Sequence, residues 1–245
     1  MPRQENNSIV ICDIYAAIAG EGRIAGQPVT AIRLFGTNFK DRYDLHMYAS
    51  EASVKNGTSR REILLEDALA EMSRTKSQKD HWLVMGGEPM LQQQSVVALA
   101  KKYAESHNVS PTIDWETNGQ IYPSEATREA SNSFAVNIKL ANSLGSKSAK
   151  DGFSMRIKED VLRKFVNDEK AYFKFGLTSV DDFREARELI DFLKISADRV
   201  WLMPNVMDAN RLRAIGPSIA NLCKASGYNY SPRLQLEVFN GKRGF

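Results

Sequence analysis

Short apolar, β-rich runs, each closed by a turn signal and followed by a helical pattern, recur along the chain and constrain its fold more than any other feature. Ser8–Ile14 and Val29–Phe35 read as the first two strands. His81–Met85, Pro111–Glu116, Phe134–Leu140, Tyr172–Leu177 and Val200–Pro204 continue the series. Glycine or asparagine closes several of them: Gly36, Gly86-Gly87, and Asn118-Gly119. Between them the apolar positions switch to helical spacing, over Glu62–Arg74, Leu91–His107, Lys158–Val166, Val180–Leu193 and Ala209–Ser226. A strand that recurs after each helix pairs in parallel, because the crossover brings the chain back in the same direction. About six repeats fit an open, partial barrel of the (β/α)6 type, with a mainly parallel sheet and outer helices. Ser59-Arg-Arg-Glu62 reads as a capping box before the first helix, and the alternating Arg233–Phe239 as a final strand.

The 245 residues show no internal repeat or low-complexity linker, so residues 1–245 are expected to form a single domain. An apolar fraction of 42% and a charged fraction of 26% are those of an ordinary globular chain. No apolar run nears the roughly 20 residues of a membrane span, and the polar N-terminus lacks a signal-peptide core, so a cytoplasmic location is expected. A net charge of +3 without clustered Lys and Arg permits an anionic ligand and gives no nucleic-acid signal. Two cysteines, Cys12 and Cys223, cannot make a disulfide framework or a multi-cysteine metal site. Both sit in apolar patterns and are expected to be buried small hydrophobes.

Chemistry concentrates at the strand ends. Arg33-Leu-Phe-Gly-Thr37 opens a polar loop that runs through Asp41 and Asp44 to His46. Gly86-Gly-Glu-Pro89 offers two backbone positions open to close approach, one carboxylate and a fixed turn. Gly20-Glu-Gly22 precedes Gly26-Gln-Pro28, and Glu116-Thr-Asn-Gly119 presents hydrogen-bonding groups suited to a heterocycle or ribose. Asn137-Ile-Lys139, Met203-Pro204 and Ser231-Pro-Arg-Leu-Gln235 complete the set. Each alone is an ordinary turn.

Taken in order and at this spacing, these motifs resemble the 7-carboxy-7-deazaguanine synthase (QueE) family of radical S-adenosylmethionine (SAM) enzymes. The resemblance covers nearly the whole chain and implies an open radical SAM barrel. It implies SAM contacts at Gly86, Gly87, Glu88, Pro89 and Lys139. It also implies substrate contacts at Glu21, Gly22, Arg33, Glu116, Thr117 and Asn118. The family reaction converts 6-carboxy-5,6,7,8-tetrahydropterin to 7-carboxy-7-deazaguanine with a [4Fe–4S] cluster, SAM and Mg²⁺. The three cluster cysteines of the family fall here on Thr37, Asp41 and Asp44. The magnesium position carries His46, and further family residues are replaced at Ala19, Asn137, Asn205 and Gln235.

Hydroxyl and carboxylate donors do not match iron–sulfur chemistry, which uses thiolates. The expectation is therefore a pseudoenzyme with no catalytic residue at Thr37, Asp41 or Asp44. Such a chain would keep a SAM, pterin or deazaguanine-like ligand, or serve a protein partner, and a homodimer stays open. An active synthase and a scaffolding protein are the alternatives. Asp41, Asp44 and His46 are also candidate hard ligands for a divalent cation, against the plainer reading of a solvated loop.

Overall fold

A computed structural model describes residues 7–39, 59–75, 79–144 and 152–239. Asp41, Asp44, His46, the loop at 50–58 and the basic Lys242-Arg243 pair lie outside the described residues.

The strands are β1 (Ser8–Ile18), β2 (Pro28–Leu34), β3 (Arg61–Leu64), β4 (His81–Gly86), β5 (Thr112–Thr117), β6 (Ser133–Ile138), β7 (Ala171–Leu177), β8 (Val200–Pro204) and β9 (Asn229–Tyr230). The helices are α1 (Leu65–Arg74), α2 (Gln93–His107), α3 (Glu125–Ala130), α4 (Gly152–Arg156), α5 (Glu159–Val166), α6 (Asp182–Leu193), α7 (Ala209–Ser226) and α8 (Leu234–Glu237). Contacts divide the chain into two compact units, each assembled from separate stretches. The first holds residues up to Ala17, Pro28–Glu116 and Pro123–Asn132. The second holds Ile18–Gln27, Thr117–Tyr122 and everything from Ser133.

In the first unit the strand order is β3-β1-β2-β4-β5. β2 pairs with β4 and β4 with β5 in parallel, with Ile32 opposite Val84 and Trp82 opposite Ile113. Val29, Ala31, Ile32, Leu34 and Val84 are fully shielded from solvent. Burial on both faces explains why these strands read as continuous apolar runs rather than alternating ones. α2 continues from a 3₁₀ turn, Pro89–Gln92, and ends at Asn108, which takes the left-handed conformation that asparagine tolerates.

In the second unit the order is β6-β7-β8-β9, all parallel. Every residue of β7 is buried. α7 is capped by Asp208, whose Oδ1 accepts from the Arg211 amide at 2.9 Å, and ends at the left-handed Gly227.

Two sequence expectations are corrected. Ser59–Glu62 is not a capping box: Arg61–Leu64 forms β3, antiparallel to β1, with Ile63 opposite Ile9. Ser8 Oγ donates to Glu62 at 3.1 Å, and Arg61 holds Glu71 of α1 through two bonds of 2.9 and 2.8 Å. The hydrogen-bonding edge of β1 takes the segment as a strand before the helix begins at Leu65. Arg233–Phe239 is not a strand. β9 already lies beside β8, and Pro232 follows it without an amide to donate. The segment turns into α8 instead, with Val238 N bonded to Leu234 O at 2.8 Å and Leu236 packed against Val206 and Leu212. Its alternation put Leu236 inward, but one buried residue needs no sheet.

Candidate functional site

The family positions fall into one constellation in each unit. In the first unit they are built on the C-terminal ends of β2 and β4. Gly86 has φ +126°, and a Cβ there would lie 2.2 Å from the Leu34 carbonyl oxygen. Only glycine lets the two strand ends approach this closely. Gly87 N then donates to Leu34 O at 3.2 Å, and Glu88 N to Gly36 O at 2.8 Å. The turn is thereby tied to the exit of β2. Glu88 is 1% exposed, and its Oε1 accepts from the Met90 amide at 3.0 Å, opening the 3₁₀ turn that carries buried Pro89. Gln92 bonds to Val10 N and to the carbonyls of Val10 and Phe35 at 2.7–2.9 Å, pinning the same turn to β1.

Arg33, 7% exposed, points its guanidinium at Asp13 (3.3 Å) and the Tyr15 hydroxyl (2.7 Å). Both partners are on β1, and the sequence reading missed them. Their alternate positions, two and four residues before Ala17, place them on one strand face. Glu116 is half-buried at the end of β5.

In the second unit Glu21 is the centre. Its Oε2 accepts from Lys174 Nζ at 2.8 Å and its Oε1 faces Arg233 Nε at 2.9 Å. Lys174 lies mid-strand in β7 and is 1% exposed. Burial by itself would raise the Glu21 carboxyl. The charges of Lys174, Arg233 and, further off, Lys139 outweigh that and hold it well below the usual carboxylate range. Gly22, at φ +65°, donates its amide to Ser231 Oγ at 2.8 Å, and a Cβ there would meet the Tyr172 hydroxyl at 2.5 Å. Gly20 leaves room for the Gln235 side chain, whose amide lies 1.9–2.1 Å from where a Cβ would stand. Among the described residues Gln235 Oε1 has no hydrogen-bond partner, and it is buried.

Thr117 and Asn118 are buried and shape the turn at Gly119: Thr117 Oγ1 accepts from Gly119 N at 3.2 Å, and Asn118 Oδ1 from Gln120 N at 3.0 Å. Lys139 is half-buried just after β6. Its carbonyl accepts from Arg156 at 2.7 Å, and Arg156 in turn pairs with Glu185 at 2.8 Å. Sequence reading missed Lys174 and Arg156. Lys174 carried a signal: it is the one charge in the apolar run Ala171–Leu177.

The donor set does not fit an iron–sulfur cluster. Thr37 Oγ1 donates to the Phe39 carbonyl at 2.8 Å and accepts from the Phe39 amide at 3.2 Å, closing its own turn. Cys12 and Cys223 are 3% and 4% exposed. Burial pushes both thiols up to about 11, with Asp13 adding to the effect at Cys12. Neither is a thiolate at neutral pH. Among the described residues no group of three His, Cys, Asp or Glu side chains is arranged to hold a metal ion. Among them, too, no helix is long and apolar enough to cross a membrane.

No model of a protein family matches the chain. Among solved structures it resembles QueE from Escherichia coli, with a TM-score of 0.63 and 19% identity over 91% of this chain and 93% of that one. That likeness shows the fold: an α/β protein with mainly parallel strand pairing. Curated relatives narrow it. The chain is 26% identical over 244 residues to the 7-carboxy-7-deazaguanine synthase of Rhodopirellula baltica, covering 99% of this chain and 91% of the relative. It is 27% identical over 253 residues to that of Halobacterium salinarum, covering 95% and 91%. Both relatives, each named 7-carboxy-7-deazaguanine synthase, are similar to this chain over nearly its whole length.

Proposed function

We propose that this chain is a cluster-less member of the 7-carboxy-7-deazaguanine synthase family, a pseudoenzyme that keeps ligand binding and has lost radical chemistry. One observation carries the reading. The three positions that hold cluster cysteines in the family are Thr37, Asp41 and Asp44, and both cysteines present are buried, neutral thiols elsewhere. Three hard or neutral oxygen donors are a poor match for a [4Fe–4S] centre. Reductive SAM cleavage needs that centre as its electron source, so the proposal contains no radical step.

What stays is binding. Gly86, Gly87, Glu88, Pro89 and Lys139 are proposed to contact SAM, and Glu21, Gly22, Arg33, Glu116, Thr117 and Asn118 a pterin or deazaguanine-like ligand. The shielding of Glu88 and the rigid Gly86 turn support the first assignment, since an ordered polar loop binds at lower entropic cost. The ionised Glu21 and the guanidinium of Arg33 support the second: one accepts from ring N–H groups, the other pairs with a carboxylate. The chain is proposed to work as one cytoplasmic domain.

The test is iron and sulfide content with the absorption spectrum after anaerobic reconstitution, followed by calorimetric titration with SAM and with 6-carboxypterin. The expected result is no stoichiometric iron, no broad band near roughly 400 nm, where thiolate-ligated clusters absorb, and binding of at least one of the two ligands. A four-iron cluster at full occupancy overturns the proposal.

A further inference from the structure

Lys174 lies in β7, a strand buried along its whole length, with Asn137 of β6 and Trp201 of β8 opposite it in the flanking registers. A lysine 1% exposed at such a place is costly unless it is paired. Its Nζ donates to Glu21 Oε2 at 2.8 Å, across 153 residues of sequence. Arg233 Nε stands 2.9 Å from the other oxygen as an ion pair. The same loop is tied twice more to the C-terminal segment: Leu234 N donates to Gly20 O at 3.1 Å, and Gly22 N to Ser231 Oγ at 2.8 Å. Glu21 is therefore fixed from a rigid strand on one side and a helix start on the other.

A buried ion pair contributes little net stability compared with an apolar pair of the same shape. Its use here is suggested by what lies beside it. Gln235 Oε1 is buried with no hydrogen-bond partner among the described residues, packed against Gly20. A buried acceptor in that state leaves one hydrogen-bonding position open beside the Gly20–Gly22 loop.

We infer that Lys174 is a positioning residue: with Arg233 it holds the Glu21 carboxylate in place as a charged acceptor, so that the Gly20–Gly22 loop takes ligands presenting N–H donors. The ligand half of this inference rests on the binding function proposed above; the clamp itself does not. The charged groups acting on Glu21 are Lys174 from β7, Arg233 ahead of α8 and Lys139 after β6. With Lys174 removed, burial works against one fewer cation, and the carboxyl rises toward or above its ordinary value.

The experiment uses the full chain, its Lys174→Met and Lys174→Arg variants, and Arg233→Met as the second variant should Lys174→Met fail to fold. Two readouts run together between about pH 4 and 7, the window around the ordinary carboxylate value. One is the ¹³C signal of the Glu21 carboxyl, assigned with Glu21→Gln; the other is the affinity for 6-carboxypterin. In the unmodified chain the signal is expected not to titrate, and the affinity to change less than about threefold. In Lys174→Met the signal titrates inside the window, and affinity falls at least about tenfold from pH 7 to 4, as expected for loss of a charge-assisted bond. Lys174→Arg restores both. A Glu21 signal that stays flat in Lys174→Met, or an affinity lowered by one factor at every pH, overturns the inference. A titrating signal with no binding by the unmodified chain upholds the clamp and overturns the binding function.

Discussion

At the scale of single residues, the chemistry of this chain is set by which groups are ionised and which are not. Glu21 is the sharpest case. Its folded-state carboxyl is depressed, so its ion pairs contribute fully above the ordinary carboxylate value and are lost as pH falls through the lower folded value. Glu21→Gln removes the carboxylate that Lys174 and Arg233 share, and is expected to cost about 3–5 kcal/mol by urea denaturation at pH 7. The acid limb of its stability curve should be shallower than that of the unmodified chain. The cysteines are the opposite case. With both thiols buried and raised to about 11, a thiol reagent at pH 8 should find no fast-reacting group in the native chain and two in denaturant. A rapid native reaction would contradict the argument that neither thiol is available as a ligand. Gly86→Ala forces a side chain against the Leu34 carbonyl at φ +126°. Backbone strain alone is about 1–3 kcal/mol, and thermal unfolding should register at least that.

At the scale of elements, local signals act where the chain has no stronger offer. α7 begins and ends where its sequence says, with Asp208 as cap and Gly227 as stop. Asp208→Ala should remove about 1 kcal/mol, a fall of roughly 2–4 °C in Tm for a chain of this size. The Arg61–Glu71 pair joins β3 to α1, but Arg61 is 41% exposed. Arg61→Ala is therefore expected to cost no more than about 1 kcal/mol despite its two short bonds, as a double-mutant cycle with Glu71→Ala would check. Both misread segments fail for one reason. Ser59–Glu62 carries a helix-start pattern and becomes a strand because the edge of β1 accepts it. Arg233–Phe239 carries a strand pattern and becomes a helix because β9 holds the place beside β8. Periodicity reports which side chains face inward; it does not report whether a hydrogen-bonding edge is free.

At the scale of the whole molecule, fold and chemistry separate. The strand–helix alternation and the glycine turns at Gly22 and Gly86 are local, so the α/β class was legible from residues in sequence. Residue type and count were legible too: threonine at 37, aspartate at 41 and 44, and two cysteines elsewhere. What the chain could not announce was partnership at a distance. Glu21 was visible as a candidate, but its cations come from positions 153 and 212 residues further on. Arg33 was visible, but its sharing by Asp13 and Tyr15 depends on β1 lying where its face can reach it. Residue type, spacing and count are properties of the covalent chain, and they determined the fold class. Which charges meet, and which carboxylate is thereby held ionised, depends on distances of about 3 Å across the folded sheet, and only the tertiary structure decided it.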